Sequence, residues 1–309
     1  MPSITSLADQ IIKKALEIGF DACSIVPAIP NEKHHKIFTN WISSAKHAEM
    51  SYLEKNNEIR WDQTKLVKNA KSIIVLLASY HHQKSENQQT AQLAKYAKSI
   101  DYHQVLKTKM HTLLSYIKTL ENINGRCFVD SAPLPERSYA SMAGLGIIGK
   151  NTCLINEQLG SWFVIGEIII DKEITHVLPQ PKKHCGNCTL CIEACPTGAL
   201  SPYQINANLC ISYQTIENKN DIPKLISDKI TNQFFGCDIC QNVCPFNKDP
   251  LQGKMLELKP LKSLLNFDTN SILQMSQTEF KEKYEHTALY RTGLKKLQEN
   301  ITHIKLKKP

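Results

Sequence analysis

The sequence has no apolar run long enough to cross a membrane. Its strongly apolar stretches, such as SIIVLLASY at 72–80, reach about half of the ~20 residues that a spanning helix needs. An export signal is also missing. MPSITSLADQIIKK carries Asp9 inside its first apolar segment and shows no small-residue cleavage site. A cytoplasmic protein without membrane contact is expected. There is no low-complexity segment and no long repeat beyond two short cysteine runs. His81, His82 and His184 lack an acidic or cysteine partner at ligand spacing, which argues against zinc catalysis. What is present is an ordinary globular composition, 42% hydrophobic and 21% charged over 309 residues. That length suits one large core plus a smaller domain. The formal charge of +8 is compatible with an anionic partner such as nucleic acid.

Residues 5–18, TSLADQIIKKALEI, read as an amphipathic helix. Thr5 or Ser6 caps it, Leu7, Ile11, Leu16 and Ile18 lie on one face, and Gly19 ends it. ACSIV (22–26), SIIVLLASY (72–80), RCFVD (126–130) and SWFVIGEIIID (161–171) read as strands, and 103–121 as a long helix. Alternating strands and helices place residues 1–178 in an α/β (α+β) domain. The proline-bearing connector HVLPQPKKH marks its end. A cysteine-rich domain over 179–250 follows, and then a tail of short helices over 251–309.

Eight of the eleven cysteines lie between 185 and 244. Clustering of that kind in a cytoplasmic chain points to metal rather than disulfides. In CGNCTLCIEACP the spacing is C-x2-C-x2-C-x3-C-P, the bacterial ferredoxin pattern, in which the fourth cysteine ligates the other cluster. CDICQNVCP (237–245) lacks the middle cysteine, and Cys210 upstream can supply the missing ligand. Two 4Fe–4S clusters with crossed ligation are expected: Cys185, Cys188, Cys191 and Cys244 hold one, and Cys195, Cys210, Cys237 and Cys240 hold the other. Zinc is the alternative metal. The clusters either staple a small ferredoxin-like domain or form an electron wire.

GLGIIG (144–149) matches a dinucleotide fingerprint only formally, because the helix-like PERSYASMA, not a strand, precedes it. DYH (101–103) has the D-x-H start of a base-off cobalamin motif. The glycine due three residues later is Leu106, so His103 reads as an ordinary residue at a helix start. Asp130 closes RCFVD before a turn and a helix, a position as common for a catalytic acid as for a cap. Lys182, Lys183, Lys295, Lys296 and the final KLKKP read as solvated surface.

Together these segments resemble the epoxyqueuosine reductase family. The resembling stretches are VDSAPLPERSYASMAGLGIIGKNTCLI (129–155), GSWFVIGEIII (160–170), CGNCTLCIEACPTGAL (185–200), CISYQTIE (210–217) and FFGCDICQNVCPFN (234–247). KYAKSIDYH (95–103) and EIRWDQTKLVKNAKSIIVL (58–76) also fit, in collinear order over about residues 5–300. The resemblance implies reduction of the epoxide of epoxyqueuosine at the tRNA wobble position, giving queuosine. It implies cobalamin with two 4Fe–4S clusters, and a nitroreductase-like N-terminal domain holding cobalamin against the ferredoxin module. It assigns Asp130 as the acid that protonates the departing oxygen, with burial beside the cofactor expected to raise its pKa. It places Arg60, Tyr96, Asn151 and Ser212 near cobalamin and Lys219 near the anticodon stem-loop of tRNA. Many members carry a longer C-terminal extension of helical repeats, for which a chain stopping at Pro309 leaves little room. A monomer served by an unidentified electron donor is expected. The rival readings are a cobalamin-dependent reductase of another substrate, as in reductive dehalogenases, a ferredoxin-type electron carrier, and a zinc-based nucleic-acid module.

Overall fold

A computed structural model describes residues 6–82, 91–265 and 267–304 of the chain. Its centre is a four-stranded sheet in the order Ala22–Pro27, Ser72–Ser79, Phe163–Ile170, Gly125–Phe128. Every pairing is antiparallel, so of the two descriptions the sequence allowed, α+β is the one that applies. All eight residues of Ser72–Ser79 are buried, which is why this strand reads as an unbroken apolar run. Its side chains alternate between two cores. Ile74, Leu76 and Ala78 pack with the helices Leu7–Ile18 and Tyr102–Leu120. Ile73, Val75 and Leu77 pack with Phe128, Tyr139 and Ala140 on the other side, around the helix Glu136–Met142. The period of two in a strand puts alternate residues on opposite faces, and each fully buried Ile or Leu contributes about 1.5–3 kcal/mol.

The flanking helices begin and end where local chemistry dictates. Ser6 caps the first helix, forming a reciprocal capping box with Asp9; Thr5, the other candidate, lies outside the described residues. Gly19 closes it with φ +113°, a conformation that suits glycine. The buried face of this helix is Ala8, Ile11 and Ala15, and Leu16, expected inside, is 38% exposed. The long helix runs against Gly166, where a Cβ would stand 2.8 Å from Met110 Sδ. The glycines of GLGIIG serve packing: a Cβ at Gly146 would stand 2.4 Å from the Ile155 carbonyl oxygen, across the pairing of Ile147–Ile148 with Leu154–Ile155.

The tail is helical, as expected, including Thr269–Gln274, Gln277–Tyr284, Leu289–Thr292 and Leu294–Thr302. Phe280, Leu289, Leu297 and Ile301 form a core with Leu93, Ala97, Phe234 and Phe235. Buried Asn300 donates to the carbonyls of Thr215 and Phe234. Met255 and Leu258 join the core beneath the sheet. Lys182, Lys183 and Lys295 are exposed as expected. Lys296 is instead buried, with Nζ donating to the Asn220 carbonyl at 3.2 Å. The segment KLKKP falls on residues 305–309, outside those described. Among the described residues no helix is long and apolar enough to cross a membrane.

Candidate active site

Asp130 stands two residues beyond the strand Gly125–Phe128, in the left-handed region at φ +53°. That conformation costs a non-glycine residue about 1–2 kcal/mol, so its surroundings must hold it. The Asp130 N–H donates to Glu136 Oε1 at 2.5 Å. Its Oδ2 accepts the Tyr102 hydroxyl at 3.0 Å and lies 3.2 Å from His103 Nε2. The carboxylate side chain keeps 59% of its surface accessible, open to a substrate.

Tyr102 and His103 arrive together because both open the helix Tyr102–Leu120. Asp101 caps that helix, accepting the His103 N–H at 3.1 Å, and the same oxygen lies 2.6 Å from His103 Nδ1. The Tyr102 and His103 rings stack with centroids 4.0 Å apart. Arg291, from the tail helix Leu289–Thr292, lies against both ring nitrogens of His103. The Asp101 N–H donates to the His286 carbonyl at 2.9 Å, which ties the helix start to the tail.

Charge follows from these contacts. The hydrogen bond from His103 draws Asp130 below the usual carboxylate range, with burial opposing and Tyr102 and Arg291 assisting. This is the reverse of the expected rise, because a basic neighbour outweighs desolvation. Burial pulls His103 down, but its bonds to Asp101 and Asp130 more than offset this, so the imidazole is raised. Glu136 is pushed up to about 8 by burial and by the Asp130 charge. Glu167 is raised well above its ordinary value by burial and by Glu136.

The other anticipated residues lie around this centre. Arg60 is buried, with its guanidinium 5.2 Å from the Phe38 ring centroid and its Nε without a partner. Arg60 and Asp130 both act on Tyr52. Tyr96 packs edge-on to Tyr102 at 6.0 Å, and burial followed by the Asp130 charge raises its hydroxyl. Asn151 is 3% exposed; its Oδ1 accepts the Cys153 N–H, and its Nδ2 has no partner. Ser212 follows Cys210 at the start of the helix Ile211–Ile216, and its N–H faces the Cys210 thiol. Lys219 is exposed two residues past Glu217.

The eight cysteines fall into two groups. Cys244 faces Cys185, Cys191 and Cys188 of the first run, although it belongs in sequence to the second. Cys195 faces Cys210 and Cys237, and Cys240 faces Cys237 and Cys210. Burial pushes Cys237 up to about 12 and raises Cys210 and Cys240 as well. Thiols so disfavoured as free anions become thiolates when a metal takes them. Cys153, outside the eight, sits beside Cys240. Among the described residues no three His, Cys, Asp or Glu side chains gather closely enough around a single ion.

Sequence reasoning missed His103, Glu136, Glu167 and Arg291. DYH carried the first, read as an ordinary helix start. A lone acid inside the apolar SWFVIGEIIID would have flagged Glu167. Arg291 has no local signal, since only folding brings it to the site.

Residues 184–247 match the family described as "4Fe-4S double cluster binding domain", and residues 60–131 match "Epoxyqueuosine reductase QueG, DUF1730". The fold and site thus define an oxidoreductase with a double-cluster module. An epoxyqueuosine reductase of Cyclobacterium marinum is 39% identical over 301 residues, 96% of either chain. The chain therefore belongs to the epoxyqueuosine reductase family. A crystal structure of epoxyqueuosine reductase with an epoxyqueuosine-modified tRNA stem loop matches with a TM-score of 0.87 at 29% identity. That match covers 96% of this chain and 80% of the other. A reductive dehalogenase described for B12-dependent dehalogenation shares the fold at 15% identity and a TM-score of 0.50, over 82% of this chain and 34% of its own.

Proposed function

We propose that the protein reduces the epoxide of epoxyqueuosine in a tRNA anticodon stem-loop to give queuosine. The observation that carries this reading is Asp130, accessible at a strand end and bonded to His103 and Tyr102. It belongs to a chain whose relative was crystallised with the modified stem loop. Removing an epoxide oxygen as water takes two electrons and two protons. The eight cysteines, in their crossed groups, hold two 4Fe–4S clusters that pass electrons singly. Arg60 and Asn151 suit a large polar cofactor, because each has a buried donor atom without a protein partner, a state that costs about 1–3 kcal/mol until a ligand fills it. With Tyr96 and Ser212 they would hold cobalamin, which supplies a cobalt centre able to collect two electrons.

Asp130 alone, drawn low, holds no proton near neutral pH. The store of protons is the imidazole of His103, 3.2 Å from Asp130 Oδ2, whose bonds to Asp101 and Asp130 raise its affinity for a proton. The pair delivers a proton to the departing oxygen through the Asp130 carboxyl, and Asp101, accepting from Nδ1, fixes the ring that resupplies it. A nucleoside-sized substrate is taken from the stem-loop with its base turned out of the stack, and Lys219 meets backbone phosphate. The deciding experiment is turnover of an epoxyqueuosine-bearing stem-loop by anaerobically reconstituted protein, with and without cobalamin. Queuosine formed only with cobalamin is expected. Turnover without it, or none under any reconstitution, overturns the reading.

A further inference from the structure

Glu167 occupies a position where a charge cannot stay. It lies in the middle of the strand Phe163–Ile170, opposite Phe128 and Val75, and is 0% exposed. No donor reaches either carboxyl oxygen, and the one side-chain hydrogen bond open to it is with another acid, Glu136. Strand alternation puts Glu167 on the face shared by Ile169 and Phe128, toward the helix Glu136–Met142. An ionised carboxylate there would cost several kcal/mol, so Glu167 carries a proton. The acid beside it is Glu136. Glu136 in turn is the group that receives the Asp130 N–H.

We propose that Glu136 and Glu167 act as a proton-sharing carboxyl pair that positions Asp130. Glu167 donates its O–H to one oxygen of Glu136, and the other, Oε1, accepts the Asp130 N–H and holds the left-handed turn. Both are positioning residues. Neither touches substrate, and the protons of the reaction pass through Asp130 and His103. The raised affinity of both carboxyls for protons agrees with this. The groups that face the pair are Asp130 on the turn, Arg137 and Tyr139 on the Glu136 helix, Tyr102 and His103 on the long helix, and Arg60.

The inference rests on Asp130 acting in the reaction, and the test separates the two claims. Backbone amides are observed in protein labelled with 15N-aspartate, the Asp130 signal being assigned by its loss in Asp130→Asn. In the wild type this signal is expected to shift with pH, with a midpoint near 8. In Glu136→Gln the step that belongs to Glu136 is lost, since the amide oxygen still accepts the N–H, and the step that remains belongs to the His103 ring beside Asp130 and disappears when His103→Gln is added. In Glu167→Gln, a neutral isostere, the Glu136 midpoint moves. Turnover should follow: Glu136→Gln and Glu167→Gln within about threefold of wild type, and Glu136→Ala down about tenfold or more in kcat with KM little changed. An Asp130 amide whose titration is the same in wild type and in both Gln variants overturns the pair, as does a Glu136→Gln variant as inactive as Glu136→Ala. If the amide behaves as expected but Asp130→Asn keeps full turnover, the pair stands and the proposed role of Asp130 falls.

Discussion

At the scale of single residues, the site is a balance of one acid against one base. Asp130→Asn should lower kcat by about 10²–10⁴, the usual worth of a placed proton donor, and leave the cluster absorbance unchanged. His103→Ala removes the first cause of the low Asp130 pKa and leaves desolvation in place. The Asp130 pKa should then rise, which carboxyl chemical shifts would record. A fall or no change would mean that His103 does not set it. The signs of the stability effects are opposite. Asp130, lowered on folding, contributes stability above its ordinary 3.8 that is lost as pH falls through its folded value. His103, raised on folding, contributes stability below its ordinary 6.5 that is lost as pH rises through its folded value. Glu136, raised from 4.5 to about 8, behaves as His103 does, so denaturant midpoints should decline from weakly acidic pH toward pH 8.

At the scale of elements, the sequence was most readable where burial is periodic. The runs ACSIV, SIIVLLASY and SWFVIGEIIID became strands within a residue or two, because a strand covered on both faces is apolar throughout. The antiparallel order of those strands was not readable, since pairing depends on which edges meet. Leu16 misled because a helical face was judged on large side chains, whereas the contact surface uses Ala8 and Ala15, which let the helix approach closely. His103 was visible in DYH but was judged against a cobalt-ligand pattern that Leu106 breaks. Its real partner, Asp130, lies 27 residues away. Gly166→Ala places a methyl group 2.8 Å from Met110 Sδ and should cost about 1–3 kcal/mol. Anaerobic urea denaturation would measure it, and an unchanged midpoint would show that Met110 yields freely.

Across the whole molecule, the chain crosses itself in two places that matter. One crossing exchanges cysteines between the two runs. Cys244→Ser should remove about half of the bound iron and leave the resonance of the cluster on Cys195, Cys210, Cys237 and Cys240. Iron analysis and EPR of the reduced protein would check this, and loss of that second resonance instead would reverse the assignment. Cysteine spacing made this crossing readable. The other crossing brings Arg291 to His103, 188 positions apart, and no local pattern announces it. It also sets a sequence of events in biosynthesis. Chains emerge from the N-terminus and fold by units as they do, so Asp101, His103 and Asp130 are laid down long before the cysteines, and Arg291 comes after both. The cysteine-bearing loops are thus in place along the chain before Arg291 arrives beside Asp101 and His103.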